Sequence, residues 1–484
     1  MSHRFRCLSD YLNLLDSKGL LAHIEGADWN CEIGAISEIV AFSDRPRALL
    51  FDSIKGYPRG YRVATNLYVS PKLQAIALNL DENLSGLELV KAWRKKMQAL
   101  KSLPPKEVSD GPIKENVMEG SNVNVLKFPA PLWHELDGGR YIGTGDVVIT
   151  KDPEEGWVNL GVYRSQVHDG RTLGLMILPS HHGRIIAEKY WKKGRDLPVV
   201  MTVGQDPDLY AAACAPLPWG YSELEFAGGL KGEAIEVIID EDTGLPVPAH
   251  AEIAIIGYVP PPEVETRNEG PFGECTGYYT LQGPNLVFHV KKIWYRDSPI
   301  LQGNPPMHGS AIRHALGAHL ITSSRIWETV EKEVPNVLGV YSLYQQCQTG
   351  SEILVISLKQ SYPGHAKHAA LAALSSCSTI ATSKIVITID EDIDPSNIEE
   401  VLWALVTRCD PSEDIDIIRG VPSTALNPRI PPEKRDLKDF TFSVMIVNAC
   451  KPFAWKDTFP KSTILNPELR SKIMLKWGEK LNLK

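Results

Sequence analysis

Strand signals dominate the middle of the chain, and their number limits the folds that this region can form. Between residues 146 and 290, six short segments are rich in Val, Ile, Leu and aromatic residues, which is typical of β-strands. Only the stretches 183–193 and 206–214 have a convincing helical character here. So many strands with so few helices predict a barrel or a sandwich. The predicted strands are 146–150, 157–163, 172–178, 235–239, 251–256 and 286–290.

The two ends of the chain mix helices with strands. Residues 8–21 and 86–100 carry apolar side chains at helical spacing, and 47–52 reads as a short buried strand. Beyond about residue 310, helices alternate with strands, which predicts βαβ units and a mainly parallel sheet. These later elements are strands at 353–358 and 385–389, helices at 365–374 and 397–406, a loop at 420–436 and a final amphipathic helix at 467–481.

Three domains follow from this order. The polar, proline-rich segment 104–115 favours an extended connector, and a chain of 484 residues is long enough for two to four domains. We predict an α+β protein with an N-terminal α/β domain and linker at 1–115, a central β domain at 116–310, and a C-terminal α/β domain with a terminal helix at 311–484.

Composition restricts the partners and the compartment. A net charge of -8 argues against a nucleic-acid partner, which would need clustered Lys and Arg, although local basic patches stay open. The eight cysteines are dispersed without a Cys-x-x-Cys pair, which fits reduced thiols. No apolar run approaches the roughly 20 residues of a bilayer helix. We therefore expect a soluble, cytoplasmic protein with no membrane partner.

The segment 268–279 sets two carboxylates beside a chain reversal. Glu269 and Glu274 flank a turn built from Gly270, Pro271 and Gly273, whose backbone preferences suit a tight bend. Two acids facing one cleft are the arrangement that general acid and base catalysis needs. Exposed glutamates on an ordinary Gly-Pro turn are the alternative interpretation.

Other polar residues are candidate ligands. His181 and His182 lie between a strand and a helix, where they could bind a ligand or remain solvated. Glu223 follows a stiff proline-containing loop that could hold its carboxylate still. Strict alternation along a strand would place Asn159 and Arg164 on opposite faces unless the strand bulges. The sequence lacks a Gly-x-Ser-x-Gly elbow, a Walker loop and a Gly-x-Gly-x-x-Gly after a strand, so hydrolase, NTPase and Rossmann signatures are missing.

Several short blocks follow one another in order over nearly the whole chain. They are Phe-Asp-Ser-Ile-Lys-Gly at 51–56, Asp-Gly-Gly-Arg-Tyr at 137–141, Asn-Leu-Gly-Val-Tyr-Arg at 159–164, Ser-Glu at 222–223, Glu-Gly-Pro-Phe-Gly-Glu at 269–274, Tyr-Pro-Gly-His-Ala-Lys at 362–367 and Asp-Glu-Asp-Ile-Asp at 390–394. Taken together, these blocks resemble one family, the UbiD-type decarboxylases that use prenylated FMN, and in particular its hydroxyarene branch.

The resemblance implies a fold and a set of functional residues. The fold would be a central split β-barrel of the flavin-binding type between two α/β regions. The catalytic set would be Arg164, Glu269 and Glu274. A divalent metal, usually Mn²⁺, would join the cofactor phosphate to Asn159, His181 and Glu223, with His182 as the alternative to His181. Residues along the cofactor would be Asn159, Val162, Tyr163, Arg164, Ser180, His181 and Glu223, and K⁺ is a further possible cation.

The implied reaction is the reversible, non-oxidative decarboxylation of an aromatic acid. Loss of CO2 from an sp² carbon leaves a carbanion with no adjacent electron sink, which is why a cofactor is needed. Arg164 would orient the substrate carboxylate and pair with Glu269, while a neutral Glu274 would return a proton to the carbon. Burial and a neighbouring acid both favour one protonated glutamate near neutral pH.

Substrate and partners follow from the same resemblance. The segments 273–279 and 140–145 are more similar to the hydroxybenzoate branch than to the cinnamate branch, and His308 and Lys359 are candidate substrate contacts. A flavin prenyltransferase would supply the cofactor, and the chain would form dimers or hexamers. The alternatives are a carboxylase or decarboxylase of another unsaturated or aryl-CoA acid, and a flavin-binding protein without turnover.

Overall fold

The computed structural model describes residues 5–308, 316, 318–344, 352–375, 383–463 and 465–481. Its N-terminal unit is a small sheet covered by helices, as predicted. Strands β1 and β2 are parallel and β3 is antiparallel to β2. The elements are α1 (Leu8–Ser17), β1 (Leu21–Glu25), α2 (Glu32–Ala41), β2 (Ala48–Asp52), β3 (Arg62–Thr65), α3 (Pro71–Ala77) and α4 (Gly86–Ala99).

The central unit contains a ten-stranded sheet, whose Val- and Ile-rich strands are largely buried. A third helix, α7, was missed by the sequence prediction, which recognised two. The elements are β4 (Lys106–Glu107), β5 (Asn116–Glu119), β6 (Tyr141–Gly143), β7 (Asp146–Lys151), β8 (Val158–Gly161), β9 (Ser165–Asp169), β10 (Thr172–Leu175), α5 (His182–Lys192), β11 (Leu197–Val203), α6 (Pro207–Ala213), α7 (Glu223–Lys231), β12 (Glu236–Ile239), β13 (Pro246–Pro248), β14 (Ile253–Val259), β15 (Thr266–Glu269), β16 (Gly283–Tyr295) and β17 (Ile300–Gln302).

The connection between β8 and β9 shows that this sheet is curled. Its main path runs β6-β9-β10-β16-β14-β11-β7-β8, with β15 and β5 also paired to β16. In a flat sheet, the six spacings between β9 and β8 would separate them by about 29 Å. Yet the four peptide steps from Gly161 to Ser165 reach at most about 14 Å. The edges must therefore approach each other, and the sheet forms a half-barrel.

Two short segments tie the central unit to its neighbours. Strand β17 pairs in parallel with β3 and completes the N-terminal sheet. The segment 104–115 is not the free connector that its composition suggested, because β4 pairs with β12 and the buried Ile113 donates its backbone N–H to the Ala249 carbonyl. The chain is thus packed where an extended connector was expected.

The C-terminal unit confirms the predicted alternation of helices and strands. Its sheet order is β18-β19-β20-β22-β21, with a parallel centre and antiparallel edges. Helix α8 packs on β18 and on α4 of the N-terminal unit. The elements are α8 (Ala318–Glu333), β18 (Val337–Tyr344), β19 (Glu352–Leu358), α9 (His365–Ser375), β20 (Ser383–Asp390), α10 (Ile398–Arg408), β21 (Ile415–Val421), α11 (Pro432–Asp436), β22 (Phe442–Asn448) and α12 (Pro467–Trp477).

The structure also bears on two properties that were judged from composition, membrane crossing and disulfide formation. In the described part of the chain, none of the helices combines the length and the apolar character that crossing a membrane requires. The described cysteines Cys7, Cys31, Cys214, Cys275, Cys409 and Cys450 are free of disulfides.

Candidate active site

The turn after β15 is held in place by neighbouring backbone and side chains. Gly270 has a φ of +84°, a conformation that favours glycine, and its N–H donates to Gln166 Oε1 at 3.1 Å. The Pro271 carbonyl accepts the Gly138 N–H at 2.7 Å. A Cβ on Gly138 would lie 1.9 Å from the Gly270 carbonyl oxygen, so the two segments touch. This contact fixes the turn that carries Glu269 and Glu274.

Arg164 reaches this turn from the connection between β8 and β9. Strand β8 ends at Gly161, so the alternation argued from the sequence does not extend to Arg164. Residues 162–164 form the short link across the edges of the half-barrel, and the Arg164 carbonyl accepts the Met176 N–H at 3.1 Å. The chain direction changes here, which allows the guanidinium to meet both glutamates.

Arg164, Glu269 and Glu274 form one hydrogen-bonded group. The Arg164 Nε donates to Glu269 Oε1 at 2.9 Å and Nη2 donates to Glu269 Oε2 at 2.8 Å. Its Nη1 donates to Glu274 Oε1 at 2.5 Å. The side chains of Arg164, Glu269 and Glu274 are 11%, 4% and 14% exposed, so the group is largely shielded from solvent but still accessible to it. The sequence predicted this set, and the structure brings it together.

Electrostatics keep the arginine charged. Burial by itself would lower the pKa of Arg164, but its hydrogen bonds to Glu269 and the negative charges of both glutamates raise it overall. The guanidinium also lies 5.2 Å from the centre of the Phe272 ring. Arg164 is therefore a permanent cation that could bind the carboxylate of an acid substrate.

A second group of polar side chains surrounds Asn159 in β8. The Asn159 Nδ2 donates to Glu223 Oε2 at 3.1 Å, and the Leu160 N–H donates to the same oxygen at 2.8 Å. Glu223 is the first residue of α7 and is buried, and burial raises its pKa to about 7 against the lowering effect of these hydrogen bonds. Asn159 Oδ1 and His181 Nδ1 are buried without a hydrogen-bond partner among the described residues.

The two adjacent histidines face different surroundings. His181 stacks on Tyr163, with 5.5 Å between ring centres, and burial lowers its pKa, so its ring is neutral at pH 7. His182 instead lies edge-on to Trp157 and Trp219, at 5.8 Å and 5.3 Å. His181 thus packs on a residue that follows Asn159 in the chain and His182 on one that precedes it, and the choice of metal ligand between them stays a prediction.

Asn159, His181 and Glu223 present atom types that a divalent metal binds. An amide oxygen, a neutral imidazole nitrogen and a carboxylate are suitable ligands for a divalent cation such as Mn²⁺. Asn159 Oδ1 and His181 Nδ1 would gain the partner that they lack. The described residues contain no group of three or more His, Cys, Asp or Glu able to hold a metal, which is consistent with a predicted set in which one ligand is asparagine.

Other candidates lie further from these contacts. Val162 is half-buried in the same link, and Ser180 is exposed in a turn. His308 Nδ1 contacts Glu38 Oε1 at 2.6 Å, and its Cβ lies 3.0 Å from where a Cβ on Gly277 would be, close along the chain to Glu274. Lys359 is exposed after β19, and its N–H donates to the Asn336 carbonyl. Its role at the site stays a prediction.

Sequence reasoning assigned no role to Tyr141 or Asp137. The Tyr141 hydroxyl donates to Glu269 Oε1 at 2.7 Å, and Asp137 Oδ1 accepts the Gly273 N–H at 2.8 Å. Both residues belong to a block that suggested the family, but nothing in local periodicity links them to a turn more than 125 residues away.

A cavity of about 670 Å³ lies beside the start of α7. It is lined by Trp157, Ser222, Tyr221 and Phe226, among others, but by none of Arg164, Glu269 and Glu274. The converging charged groups of Arg164, Glu269 and Glu274 therefore lie outside this cavity.

Comparison with known proteins identifies relatives over the whole length. The family models of the 3-octaprenyl-4-hydroxybenzoate carboxy-lyase match in succession: the N-terminal domain at residues 12–93, the Rift-related domain at 106–308 and the C-terminal domain at 315–449. A phenolic acid decarboxylase of Sedimentibacter hydroxybenzoicus is 32% identical over 503 residues, covering 99% of this chain and 98% of the relative.

Solved structures agree with these matches. The vanillic acid decarboxylase of Sedimentibacter hydroxybenzoicus, in its open form, superposes with a TM-score of 0.85 at 29% identity, covering 99% of this chain and 98% of that one. An evolved dimeric form of the UbiD-class enzyme HmfF from Pelotomaculum thermopropionicum, in complex with prFMN, gives a TM-score of 0.80 at 29% identity, covering 96% and 98%.

Proposed function

The chain belongs to the UbiD family of carboxy-lyases, and from that premise we propose that it decarboxylates an aromatic, hydroxybenzoate-type acid with prenylated FMN and a divalent metal. The observation that carries the proposal is the bidentate pair of Arg164 and Glu269 with Glu274 on the third guanidinium nitrogen. Relatives that act on phenolic and vanillic acids support the substrate class.

The chain's own residues suggest how the cofactor would be held. Asn159, His181 and Glu223 would bind the metal, and Val162, Tyr163 and Ser180 would lie along the flavin within the half-barrel. The prFMN complex of HmfF supports this cofactor. When bound, prenylated FMN supplies the electron sink that loss of CO2 requires. K⁺ would be a further cation at the site.

Arg164 and the two glutamates would divide the work between binding and proton transfer. Arg164 orients the substrate carboxylate through its permanent charge and through the second N–H of Nη1 and of Nη2, which the bonds to the glutamates do not use. Glu269 holds the guanidinium in place through two hydrogen bonds. Glu274, which is more exposed than Glu269, returns a proton to the carbon that loses CO2. Burial of the group keeps water from competing for that proton.

Substrate contacts and assembly complete the proposal. His308 borders the turn that contains Glu274 and could touch the aromatic ring, whereas Lys359 would have to reach the site from the C-terminal unit. A flavin prenyltransferase would supply the cofactor, and a homo-oligomer is expected, since a dimeric form of HmfF is known.

The direct test loads the protein with prenylated FMN and Mn²⁺ and measures CO2 release from a panel of aromatic acids. The panel should pair hydroxylated benzoates with their non-hydroxylated counterparts. We expect turnover of at least one hydroxylated acid and little of its counterpart. Absence of CO2 from every acid with spectroscopically confirmed cofactor would overturn the proposed activity. Preference for the non-hydroxylated acids would overturn only the substrate class.

A further inference from the structure

The hydroxyl of Tyr141 shares an oxygen of Glu269 with Arg164. Tyr141 lies in β6, is fully buried, and donates to Glu269 Oε1 at 2.7 Å. The same oxygen accepts from Arg164 Nε, and Oε2 accepts from Arg164 Nη2. The Glu269 carboxylate thus receives three hydrogen bonds from two side chains, and one of these donors is independent of the arginine.

Glu274 accepts fewer hydrogen bonds than Glu269 from the residues that the structure describes. Its Oε1 accepts from Arg164 Nη1 at 2.5 Å, and its Oε2 accepts from the N–H of the next residue, Cys275, at 3.3 Å. Hydrogen bonds to the charged form of a carboxyl group favour that form. Because Arg164 donates to both glutamates, the phenol of Tyr141 is the side-chain donor that, among the residues the structure describes, separates Glu269 from Glu274.

We propose that Tyr141 is a positioning residue that keeps Glu269 ionised and fixed on Arg164, so that Glu274 is the glutamate that exchanges the proton. This inference rests on the proposed decarboxylation, because it assigns different duties to the two acids of that site. It extends the site by a residue that acts through Glu269 and not on the substrate.

The phenol is suited to this role because it stays protonated. Burial, followed by the nearby charge of Glu269, raises the pKa of Tyr141 above its ordinary value. Its hydroxyl is therefore a donor throughout the neutral range. The ring packs on Phe272 with 4.2 Å between centres, and the backbone carbonyl accepts the Trp133 indole N–H. Both contacts hold the hydroxyl towards Glu269.

The other charged or titratable groups around Glu269 do not replace the phenol. His168 in β9 borders the same space above Gly174 as Glu269, and burial lowers its pKa, which leaves it neutral at pH 7. Glu274 shares the Arg164 guanidinium with Glu269, and Asp137 accepts the Gly273 N–H from the segment before β6. Neither carboxylate donates to Glu269, so loss of the phenol leaves Arg164 as the described side-chain donor to it.

The variant Tyr141→Phe removes the hydroxyl and retains the ring packed on Phe272. Its matched control is Tyr11→Phe, because Tyr11 is also fully buried and its hydroxyl donates to the Leu67 and Leu73 carbonyls, far along the chain from the site. Both variants lose a buried, hydrogen-bonded phenol hydroxyl. Only Tyr141→Phe loses a donor to a carboxylate of the site, so a purely structural effect would appear equally in both.

Two measurements test the inference. In the enzyme loaded with prenylated FMN, Tyr141→Phe should shift the acidic limb of the kcat/KM profile to higher pH by about one unit. This is the size expected for loss of one hydrogen bond to a charged group. In the cofactor-free protein, the infrared band of protonated carboxyl that Glu269→Gln removes should persist to higher pH in Tyr141→Phe by a similar amount. Tyr11→Phe should change neither.

The outcomes separate this inference from the proposed activity. If the loaded wild-type protein releases no CO2 from any acid, the activity fails, but the infrared titration still tests Tyr141. If Tyr141→Phe matches wild type in the infrared titration, or shifts no more than Tyr11→Phe, Tyr141 has only a structural role and the inference is overturned.

Discussion

Arg164 and Glu269 face each other through two parallel hydrogen bonds, Nε to Oε1 at 2.9 Å and Nη2 to Oε2 at 2.8 Å. This geometry depends on the planar fork of the guanidinium, which leaves Nη1 free to contact Glu274. One cation therefore sets the positions of both acids. Because both contacts need the planar fork, the site should be disturbed even when Arg164 is replaced by another positively charged residue.

Arg164→Lys should remove most of the activity although the charge remains, because an ammonium cannot bind Glu269 with two parallel bonds and still reach Glu274. We expect kcat/KM for CO2 release to fall by at least about 100-fold, as for loss of an electrostatic donor at an active site. Arg267→Lys is the control, since Arg267 pairs with Asp169 and Glu265 at the surface. Equal activity of both variants would contradict the role of the fork.

Gly138→Ala should displace the turn after β15, because the new Cβ would meet the Gly270 carbonyl. Overpacking of this kind costs about 1–3 kcal/mol, so we expect a lower midpoint in urea unfolding together with loss of activity. Gly283→Ala is the control, since a Cβ at Gly283 has no atom within 4 Å. A Gly138→Ala protein as stable and active as Gly283→Ala would show that the contact does not hold the turn.

Metal binding should depend on His181 and not on His182. His181 Nδ1 is buried without a partner, whereas His182 packs between Trp157 and Trp219. We expect His181→Ala to weaken Mn²⁺ binding by at least about tenfold in calorimetric titration, and His182→Ala to retain it. The reverse order of affinities would assign the metal to His182.

The pH dependence of stability should contain a contribution from Asp146. Burial raises its pKa to about 8, from an ordinary value of 3.8. Between these values the unfolded chain releases this proton while the native chain keeps it, so stability falls with rising pH by about 1.4 kcal/mol per unit. Above about pH 8 the native carboxyl also ionises and the loss stops.

Asp146→Asn should abolish this contribution. The difference in urea midpoint between the variant and the wild-type protein should therefore grow in favour of the variant from pH 4.5 to pH 8. A difference that stays constant across this range would mean that Asp146 ionises in the folded protein as it does in the unfolded chain.

Local patterns predicted much of the fold. The Val- and Ile-rich strands and the alternating C-terminal elements are visible in short windows, because side-chain shape and periodicity act over a few residues. Helix α7 was missed because Gly228 and Gly229 weaken its helical signal. Their lack of a side chain has a tertiary reason: a Cβ on Gly228 would lie 2.7 Å from the Leu103 carbonyl oxygen.

The residues of the site were predicted from the turn and the family blocks, but the long-range contacts that join them were not. Strand alternation, which was qualified by a possible bulge, does not apply to Arg164 because β8 ends at Gly161, and where it ends depends on closure of the half-barrel. The bond from Tyr141 to Glu269 joins residues 128 apart in the chain. Such a contact is decided by how distant segments pack, and no short pattern encodes it.

The most direct test of the account is CO2 release by Glu274→Gln, loaded with prenylated FMN and Mn²⁺ and assayed in D2O with an acid that the wild-type protein turns over. Glutamine keeps the size of the side chain but cannot deliver the proton. We predict that CO2 release falls by at least about 100-fold and that deuterium incorporation into the product falls with it. Turnover and deuterium incorporation at the wild-type level would contradict the assignment of Glu274 as the proton donor.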